Sequence, residues 1–370
     1  MTATVSTPDI GSHQNDDSGS ILEVGNLTVE FETPTGLLRA VDGVSFDLQS
    51  GRTLGIVGES GSGKSVLSRA IMGILPRSAR VSESSEIRFE GKRVHPNPEI
   101  DVSGLWGAKI SMIFQDPMTA LTPVMTVGQQ LTETLRQHLP LSKKEADRRA
   151  VELLQQVGIS EPAYRVKQYP HQLSGGMRQR VMIALALSCA PKLVVADEPT
   201  TALDVTVQHQ ILNLLGSLQK SDGMAMILVT HDLGVVAGRT DDTMVMYAGT
   251  VVERAETANL FGNMRHPYTQ ALLNSLPRLE YPSHTRLDAI PGLPPRVVDP
   301  EPGCRFAPRC PNAQARCLTE APQPQQGPTA EHTFSCFYPV GTPEGRAAHD
   351  DNLRAGRTAA GLEVGKGVPE

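Results

Sequence analysis

Two different periods of apolar residues organise the first half of the chain. Residues 21–57 alternate apolar and polar positions over short stretches and carry turn signals at 33–36 and 49–51. This pattern predicts a small antiparallel sheet. From about 125 to 170, the apolar residues recur at helical spacing, with an N-cap predicted at Ser142. The chain is therefore expected to carry antiparallel strands first and a helical insert later.

Short apolar runs alternate with helical segments around this insert. Buried strands are predicted at 53–57, 110–114, 193–197 and 225–230, and one more hairpin strand at 87–91. Helices are predicted at 66–72, 176–190 and 205–219, and a short one after Asp232. Strands that alternate with helices favour a parallel sheet covered by helices, an α/β fold. Its right-handed crossovers bring the carboxyl ends of the strands to one edge, where ligands bind.

Composition and charge narrow the class of protein. The chain has 370 residues, of which 39% are hydrophobic and 20% charged, with a net charge of −6. These values are ordinary for a globular protein and do not favour nucleic-acid binding. No apolar run reaches the roughly 18 residues of a membrane span, and the N-terminus lacks a signal-peptide pattern. We expect a cytoplasmic protein with disordered tails at 1–20 and 341–370.

A glycine-rich loop supplies the first chemical motif. Residues 58–65 fit G-x-x-x-x-G-K-[ST] between a predicted strand and a predicted helix, the context that this phosphate-binding motif needs. Glycines let backbone N–H groups approach phosphate oxygens, and Lys64 can reach the β- and γ-phosphates while Ser65 holds Mg²⁺. The ATP-binding residues predicted in this loop are Gly58, Glu59, Ser60, Gly61, Ser62, Gly63, Lys64 and Ser65.

Two further motifs have the chemistry of a nucleotide site. Asp197 and Glu198 close an apolar strand, so Asp197 suits a Mg²⁺-associated carboxylate and Glu198 a base that activates water. Ser174, Gly175 and Gly176 open an apolar helix, where free backbone N–H groups form a second anion site. Two such helix starts far apart in one chain suggest a dimer.

The order of these motifs resembles that of the ATP-binding cassette (ABC) ATPases over about residues 21–275. The matching segments are Gly58–Ser65, Gln115, 173–179, 193–198, 202–204 and His231. Met177 stands where the family usually has glutamine. The resemblance implies a RecA-like parallel sheet core, an antiparallel β subdomain and a helical signature subdomain at about 118–180.

The resemblance also implies residue roles. Glu198 would be the general base, His231 would contact the γ-phosphate, and Gln115 would sense the metal and the water. Ser174, Gly175 and Gly176 would contact the ATP bound to a partner subunit, and Asp204 would link the two sites. Many family members stack adenine on an aromatic residue that is missing here. Arg39 is a candidate through its planar guanidinium, and the adenine contact stays open.

Residues 114–123, 266–273 and 290–295 resemble the ATPase subunits of dipeptide, oligopeptide and nickel importers. This implies an ATP-hydrolysing subunit at the cytoplasmic face of the membrane, with a C-terminal extension at about 276–340. Its expected partners are a second homologous ATPase subunit, two permeases and, indirectly, an extracytoplasmic solute-binding protein. The partner ATPase can be a different chain or a second copy. The alternative, a soluble ABC ATPase acting on nucleic acid or ribosomes, fits poorly with one cassette and a negative charge.

Four of the five cysteines fall close together near the C-terminus: Cys304, Cys310, Cys317 and Cys336. Four thiols can hold a metal, although structural zinc usually prefers tighter pairs and iron–sulfur clusters accept varied spacing. The resemblance implies a [4Fe–4S] cluster here, with zinc and disulfides as the alternatives. Cys189 lies in an apolar helix and is expected in the core.

Overall fold

The computed structural model describes residues 19–94, 104–201, 203–276, 290–295, 297–298 and 302–365. The disorder predicted for residues 1–20 falls almost entirely outside this part. Ala202, the first residue of the predicted 202–204 motif, also lies outside it, as does most of the proline-rich stretch after residue 276.

The strands of the described part form two sheets. In chain order they are β1 (Ser20–Thr33), β2 (Gly36–Gln49), β3 (Thr53–Val57), β4 (Ala79–Val81), β5 (Glu86–Phe89), β6 (Lys92–Arg93), β7 (Ile110–Ile113), β8 (Leu193–Asp197), β9 (Ala225–Thr230), β10 (Asp242–Tyr247), β11 (Thr250–Glu256), β12 (Gln325–Gln326) and β13 (Thr333–Phe334).

The helices of the described part are mostly short, and none combines the length and apolar character needed to cross a membrane. In chain order they are α1 (Lys64–Ile71), α2 (Pro117–Ala120), α3 (Val127–His138), α4 (Lys143–Gln156), α5 (Pro162–Arg165), α6 (Gly175–Leu187), α7 (Val205–Asp222), α8 (Leu233–Val236), α9 (Thr257–Asn263), α10 (Pro267–Asn274), α11 (Arg316–Thr319) and α12 (Pro343–Ala355). Two 3₁₀ turns span Pro170–Gln172 and Ala307–Arg309.

The first sheet is antiparallel, as the alternating residues of 21–57 predict. Its strand order is β2-β1-β5-β6, and β4 also pairs with β1. Thr33 pairs with Gly36 across the predicted turn. Leu22 and Val24 are buried on one face of β1, because successive side chains of a strand point to opposite sides, and a register shift between Val24 and Leu27 brings Leu27 into the same core.

The second sheet has the order β12-β13-β11-β10-β3-β9-β8-β7, and its five strands from β10 to β7 are parallel. Both faces are covered. In β8, Val194 and Ala196 belong to the core beneath the helical insert, whereas Leu193 and Val195 belong to the core beneath the antiparallel sheet. Burial on both faces explains why the parallel strands are continuous apolar runs. The predicted α/β fold is confirmed.

Local capping begins both long helices of the insert. Ser142 Oγ accepts a hydrogen bond from the Glu145 N–H at 3.3 Å, and the Glu145 carboxylate accepts one from the Ser142 N–H at 2.9 Å. Thr126 and Gln129 form the same reciprocal pair at the start of α3. Such a capping box satisfies N–H groups that the first helical turn leaves unpaired. The N-cap predicted at Ser142 is confirmed.

The C-terminal extension joins the second sheet. β13 pairs antiparallel with β11, and β12 adds one more strand beyond it. Tyr247 of β10 packs against Tyr268 and Phe306, with ring centroids 4.6 and 5.1 Å apart. The extension and the rest of the second sheet therefore share one sheet edge and one aromatic cluster.

The tail predicted to be disordered from residue 341 differs in the structure. Thr342 caps the N-terminus of α12, Pro343 occupies its first turn, and Gly356 ends it with a left-handed φ of 70°. The buried Asn352 side chain donates a hydrogen bond to the Pro311 carbonyl at 2.8 Å. Docking against the extension orders this helix, although its composition is mostly polar.

We expect Leu153→Ala in α4 to lower the free energy of unfolding by about 2–5 kcal/mol, the usual cost of a cavity in a packed core. Leu153 is fully buried in the core of the helical insert. Gln155→Ala, two residues on and exposed, is the control and should change stability by less than about 0.5 kcal/mol. Urea denaturation measures both, and equal effects would contradict the packing described here.

Candidate functional site

Strand register brings the predicted active-site residues to one edge of the parallel sheet. Val57 pairs with Thr230, and Asp197 pairs with Val229. Gly58, Glu198 and His231 each follow the last residue of one of these strands, and Gln115 lies two positions after β7. The parallel arrangement therefore delivers four separate chain segments to a single site.

The phosphate loop requires glycine at its close approaches. Gly63 has a φ of 99°, and a Cβ placed on it would lie 2.3 Å from the Ala40 carbonyl oxygen. Gly61 also has a positive φ, of 81°. A side chain on Gly63 would collide with the Ala40 carbonyl, and one at either position would strain the backbone, so the glycines set the path of the loop.

Lys64 lies inside this loop and is only 4% exposed. Its Nζ donates hydrogen bonds to the carbonyl oxygens of Gly58 at 2.7 Å and Glu59 at 2.9 Å. Burial lowers the pKa of Lys64, and the carboxylates of Glu198 and Asp197 partly offset that effect. The ammonium group is thus held at the centre of the loop, where phosphate oxygens are expected.

Ser65 and Asp197 provide the oxygen atoms of the expected Mg²⁺ site. Ser65 Oγ donates a hydrogen bond to Asp197 Oδ1 at 3.1 Å. Burial raises the pKa of Asp197, while the bond from Ser65 lowers it. A hydroxyl beside a buried carboxylate suits a hard divalent cation, so these residues fit Mg²⁺ bound together with a nucleotide.

Glu198 is the centre of a polar cluster. Its Oε2 accepts hydrogen bonds from Gln115 Nε2 at 3.0 Å and Thr201 Oγ1 at 2.9 Å. His231 Nδ1 lies 3.4 Å from the same oxygen. The backbone of Glu198 has a left-handed φ of 47°, which is uncommon for a residue other than glycine. The structure thus brings together the three residues predicted to act on water.

The residues predicted to contact a partner's ATP form a second group. Ser174 caps α6 by accepting a hydrogen bond from the Met177 N–H at 3.3 Å. A Cβ on Gly176 would lie 3.0 Å from Val207 in the first turn of α7, and one on Gly175 would lie 3.8 Å from Leu203. Asp204 caps α7. The turn Ser174–Gly176 and Asp204 therefore lie beside each other, at the starts of the packed helices α6 and α7.

Arg39, the candidate for the adenine contact, forms ion pairs in this structure. Its guanidinium donates to Glu30 at 2.9 Å and contacts Asp42 at 3.4 Å. Burial lowers the pKa of Arg39, but the two carboxylates outweigh it and raise the pKa above its ordinary value. Stacking on adenine stays a prediction.

Sequence reasoning did not single out several groups that contact the site. Thr201 bonds to Glu198, as described above. Gln179 is almost fully buried, and its Nε2 donates to the Pro199 carbonyl at 2.5 Å, which ties α6 to the loop after β8. Threonine and glutamine recur along any chain, so only their position in the fold identifies them.

The prediction of a [4Fe–4S] cluster is wrong. Among the described residues, no group of three or more His, Cys, Asp or Glu side chains is arranged to hold a metal ion. The four cysteines of the extension line one cavity of about 10 Å³, which barely reaches the space that one water molecule needs. The zinc alternative fails on the same observation.

Burial explains what these thiols do instead. It raises the pKa of Cys304 to about 11 and that of Cys336 to about 12. The side chains are therefore neutral thiols in this structure, and they pack like small apolar groups. All five cysteines are free, so the disulfide alternative is also excluded. Cys310 and Cys317 pack with Phe306 as small apolar side chains of the extension core.

Two family models match this chain. Residues 41–201 match the model described as ABC transporter, and residues 252–317 match the model described as oligopeptide/dipeptide transporter, C-terminal region. The first match includes the phosphate loop and the Asp197–Glu198 pair, and the second includes part of the extension.

Named relatives match over most of their length. The chain is 50% identical over 318 residues to the dipeptide transport ATP-binding protein DppD of Bacillus subtilis, which covers 86% of this chain and 94% of that protein. It is 49% identical over 320 residues to the oligopeptide transport ATP-binding protein OppD of Salmonella typhimurium, with coverage of 86% and 94%.

A solved structure has the same core fold. It is the dimeric ATP-binding cassette MJ0796 in a post-hydrolysis state, bound to ADP and Pi. The two chains are 28% identical and superpose with a TM-score of 0.57 over 64% of this chain and 98% of that one.

We expect Asp197→Asn to raise the free energy of unfolding by about 1 kcal/mol at neutral pH without Mg²⁺, because it removes a buried charge. Burial raises the pKa of Asp197 in the folded protein, so its ionised form costs stability above that pKa. The cost disappears as the pH falls through the folded pKa to below the unfolded one, because the group is then protonated in both states.

The gain in stability should therefore shrink under acidic conditions. Urea denaturation at neutral and mildly acidic pH measures the difference between variant and parent. Asp350→Asn on the exposed face of α12 is the control and should change stability little at either pH. A loss of stability in Asp197→Asn, or a gain that is independent of pH, would contradict the assignment.

Proposed function

The chain belongs to the family of ATP-binding subunits of the dipeptide and oligopeptide ABC transporters. We propose that the residues of its candidate site bind ATP and activate the attacking water. The chain hydrolyses ATP to drive import of dipeptides or oligopeptides through separate membrane permeases. The relatives do not favour the alternative of an ATPase acting on nucleic acid or ribosomes.

One observation carries the proposed site: four strand ends deliver a buried lysine, a hydroxyl–carboxylate pair and a cluster around Glu198 to one sheet edge. Lys64 would bind the β- and γ-phosphates. Ser65, Asp197 and Gln115 would hold Mg²⁺, which neutralises charge on the transferred phosphoryl group when it is bound. The 3.1 Å contact between Ser65 and Asp197 supports this division.

Hydrolysis needs a base next to the attacking water. Glu198 would accept a proton from the attacking water. The water oxygen then bonds to the γ-phosphorus, and the bond between the γ-phosphorus and the bridging oxygen of ADP breaks. Gln115 and His231 would orient this water, and their contacts of 3.0 and 3.4 Å to Glu198 Oε2 support a shared task. Positioning of this kind accounts for much of the catalysis of phosphoryl transfer.

The second group of residues would act across a dimer. Ser174, Gly175 and Gly176 present the N-terminus of α6, which suits the γ-phosphate of an ATP bound to the opposite subunit. Asp204, beside them at the start of α7, would couple the two sites. The partner subunit would be a homologous ATPase, in a heterodimer or a homodimer.

The complete importer would place this chain at the cytoplasmic face of the membrane. Two permeases would hold it there, and a solute-binding protein on the other side would deliver the peptide. The names of the relatives and the match of residues 252–317 to the peptide-transporter extension support peptides as the cargo.

We expect Glu198→Gln to lower kcat for ATP hydrolysis by about 100-fold or more, because general-base catalysis contributes at least that factor. ATP binding should persist, and the ATP-bound dimer should accumulate. Phosphate release and size-exclusion chromatography with Mg²⁺ and ATP measure the two effects. Glu344→Gln on exposed α12 is the matched control.

Reconstitution tests the complete function. The chain is placed in proteoliposomes with its partner ATPase, permeases and binding protein, and uptake of a labelled dipeptide or oligopeptide is measured with ATP. Lys64→Ala should abolish both nucleotide binding and uptake. ATP hydrolysis that no peptide stimulates and that drives no uptake would contradict the transport role.

A further inference from the structure

An arginine of the C-terminal extension reaches into the phosphate loop. Arg309 closes the 3₁₀ turn Ala307–Arg309, and its Nη1 and Nη2 donate to the two carboxylate oxygens of Glu59 at 2.7 and 2.9 Å. The Arg309 side chain is 5% exposed and that of Glu59 is 24% exposed. A two-pronged pair of this kind, shielded from water, fixes both distance and orientation.

Arg309 is itself immobilised by further partners. Its Nε donates to the Pro291 carbonyl at 2.7 Å, and its Nη1 also contacts the Tyr247 hydroxyl at 3.3 Å. These bonds fix the orientation of the guanidinium plane independently of Glu59. The arginine therefore forms a rigid link between the extension and the loop rather than a mobile surface ion pair, which would stabilise little.

Glu59 is held at three points. Its carboxylate binds Arg309, its N–H donates to the Tyr268 hydroxyl at 2.8 Å, and its carbonyl accepts from Lys64 Nζ at 2.9 Å. The last contact matters most, because Lys64 is the residue proposed to bind the phosphates. The path of the loop near its lysine is thus determined partly by groups that lie outside the loop.

The extension also contacts the chain next to the loop on its other side. Arg305 pairs with Asp42 and donates to the Ala248 carbonyl at 2.7 Å. The Arg39 N–H donates to the Val297 carbonyl at 2.9 Å. Because a Cβ on Gly63 would meet the Ala40 carbonyl, residues 39–42 form one wall of the phosphate loop.

We propose that Arg309 is a positioning residue for ATP binding, which holds Glu59 and thereby presets the phosphate loop around Lys64. The C-terminal extension would then determine the nucleotide affinity of a site whose ligands all lie in the core. This inference rests on the proposed nucleotide site. A preset loop loses less freedom when ATP binds, so the link acts on affinity more than on the chemical step.

Arg309→Met tests the proposal in the full-length chain. The Kd for a fluorescent ATP analogue should rise by about tenfold, because a charge-assisted, two-pronged pair is lost. In the assembled transporter, KM for ATP should rise similarly while kcat at saturating ATP stays within about twofold, the signature of lost uniform binding. Arg309→Lys keeps the positive charge but cannot donate to both carboxylate oxygens in the same way, so its Kd should lie between those of the parent and Arg309→Met.

The control is Arg316→Met, which removes an exposed ion pair with Glu320 in the same extension. Glu59→Gln removes the same link from the other side with little change in size, and its Kd should also rise. The Kd of the double variant Arg309→Met/Glu59→Gln should not exceed that of the weaker-binding single variant, since the two substitutions remove the same interaction.

The outcomes separate this proposal from the nucleotide site itself. If Lys64→Ala abolishes binding but Glu59→Gln keeps the parental Kd, the positioning role is wrong and the nucleotide site stands. The same conclusion follows if Arg309→Met only lowers thermal stability and matches Arg316→Met in nucleotide affinity. If Lys64→Ala binds ATP normally, the nucleotide site itself is misassigned.

Discussion

Parallel main-chain pairing of five strands, from β10 through β3, β9 and β8 to β7, positions every segment of the site. Hydrogen bonds in register align the carboxyl ends of these strands, so residues distant in the chain emerge at one edge. Both faces of this ladder are buried, which holds the register because a shift would move apolar side chains out of their cores. Main-chain pairing therefore sets the relative positions of the segments that carry the site residues.

Several functional residues at this edge of the sheet lower the free energy of unfolding. Lys64 and Asp197 are both buried, and burial shifts the pKa of each towards its neutral form. The Glu198 backbone adopts a conformation that non-glycine residues seldom take. A bound nucleotide with Mg²⁺ would bring a negative charge to Lys64 and a positive charge to Asp197. Selection for function explains why the fold retains charges that the core alone would disfavour.

The extension and the core are joined by a shared sheet and by side-chain contacts. β13 lengthens the catalytic sheet through β11, and Tyr268, Phe306 and Arg309 bring the extension to the back of the phosphate loop. Its cysteines serve as neutral core residues, which corrects the expectation of a metal cluster there. A segment with little regular structure is thus tied to the site by aromatic packing and by the ion pairs Arg309–Glu59 and Arg305–Asp42.

Local sequence patterns were enough to predict the elements that depend only on neighbouring residues. Apolar periodicity predicted β8 and β9 at their observed bounds, the N-cap residue Ser142 marked the start of α4, and the glycines of 58–65 identified the phosphate loop. Other features were visible only in the folded protein: the link between Glu59 and Arg309, the burial of the cysteines and the ordering of α12. Each of these depends on which distant segments meet, and neither spacing nor residue type encodes such contacts within one stretch of chain.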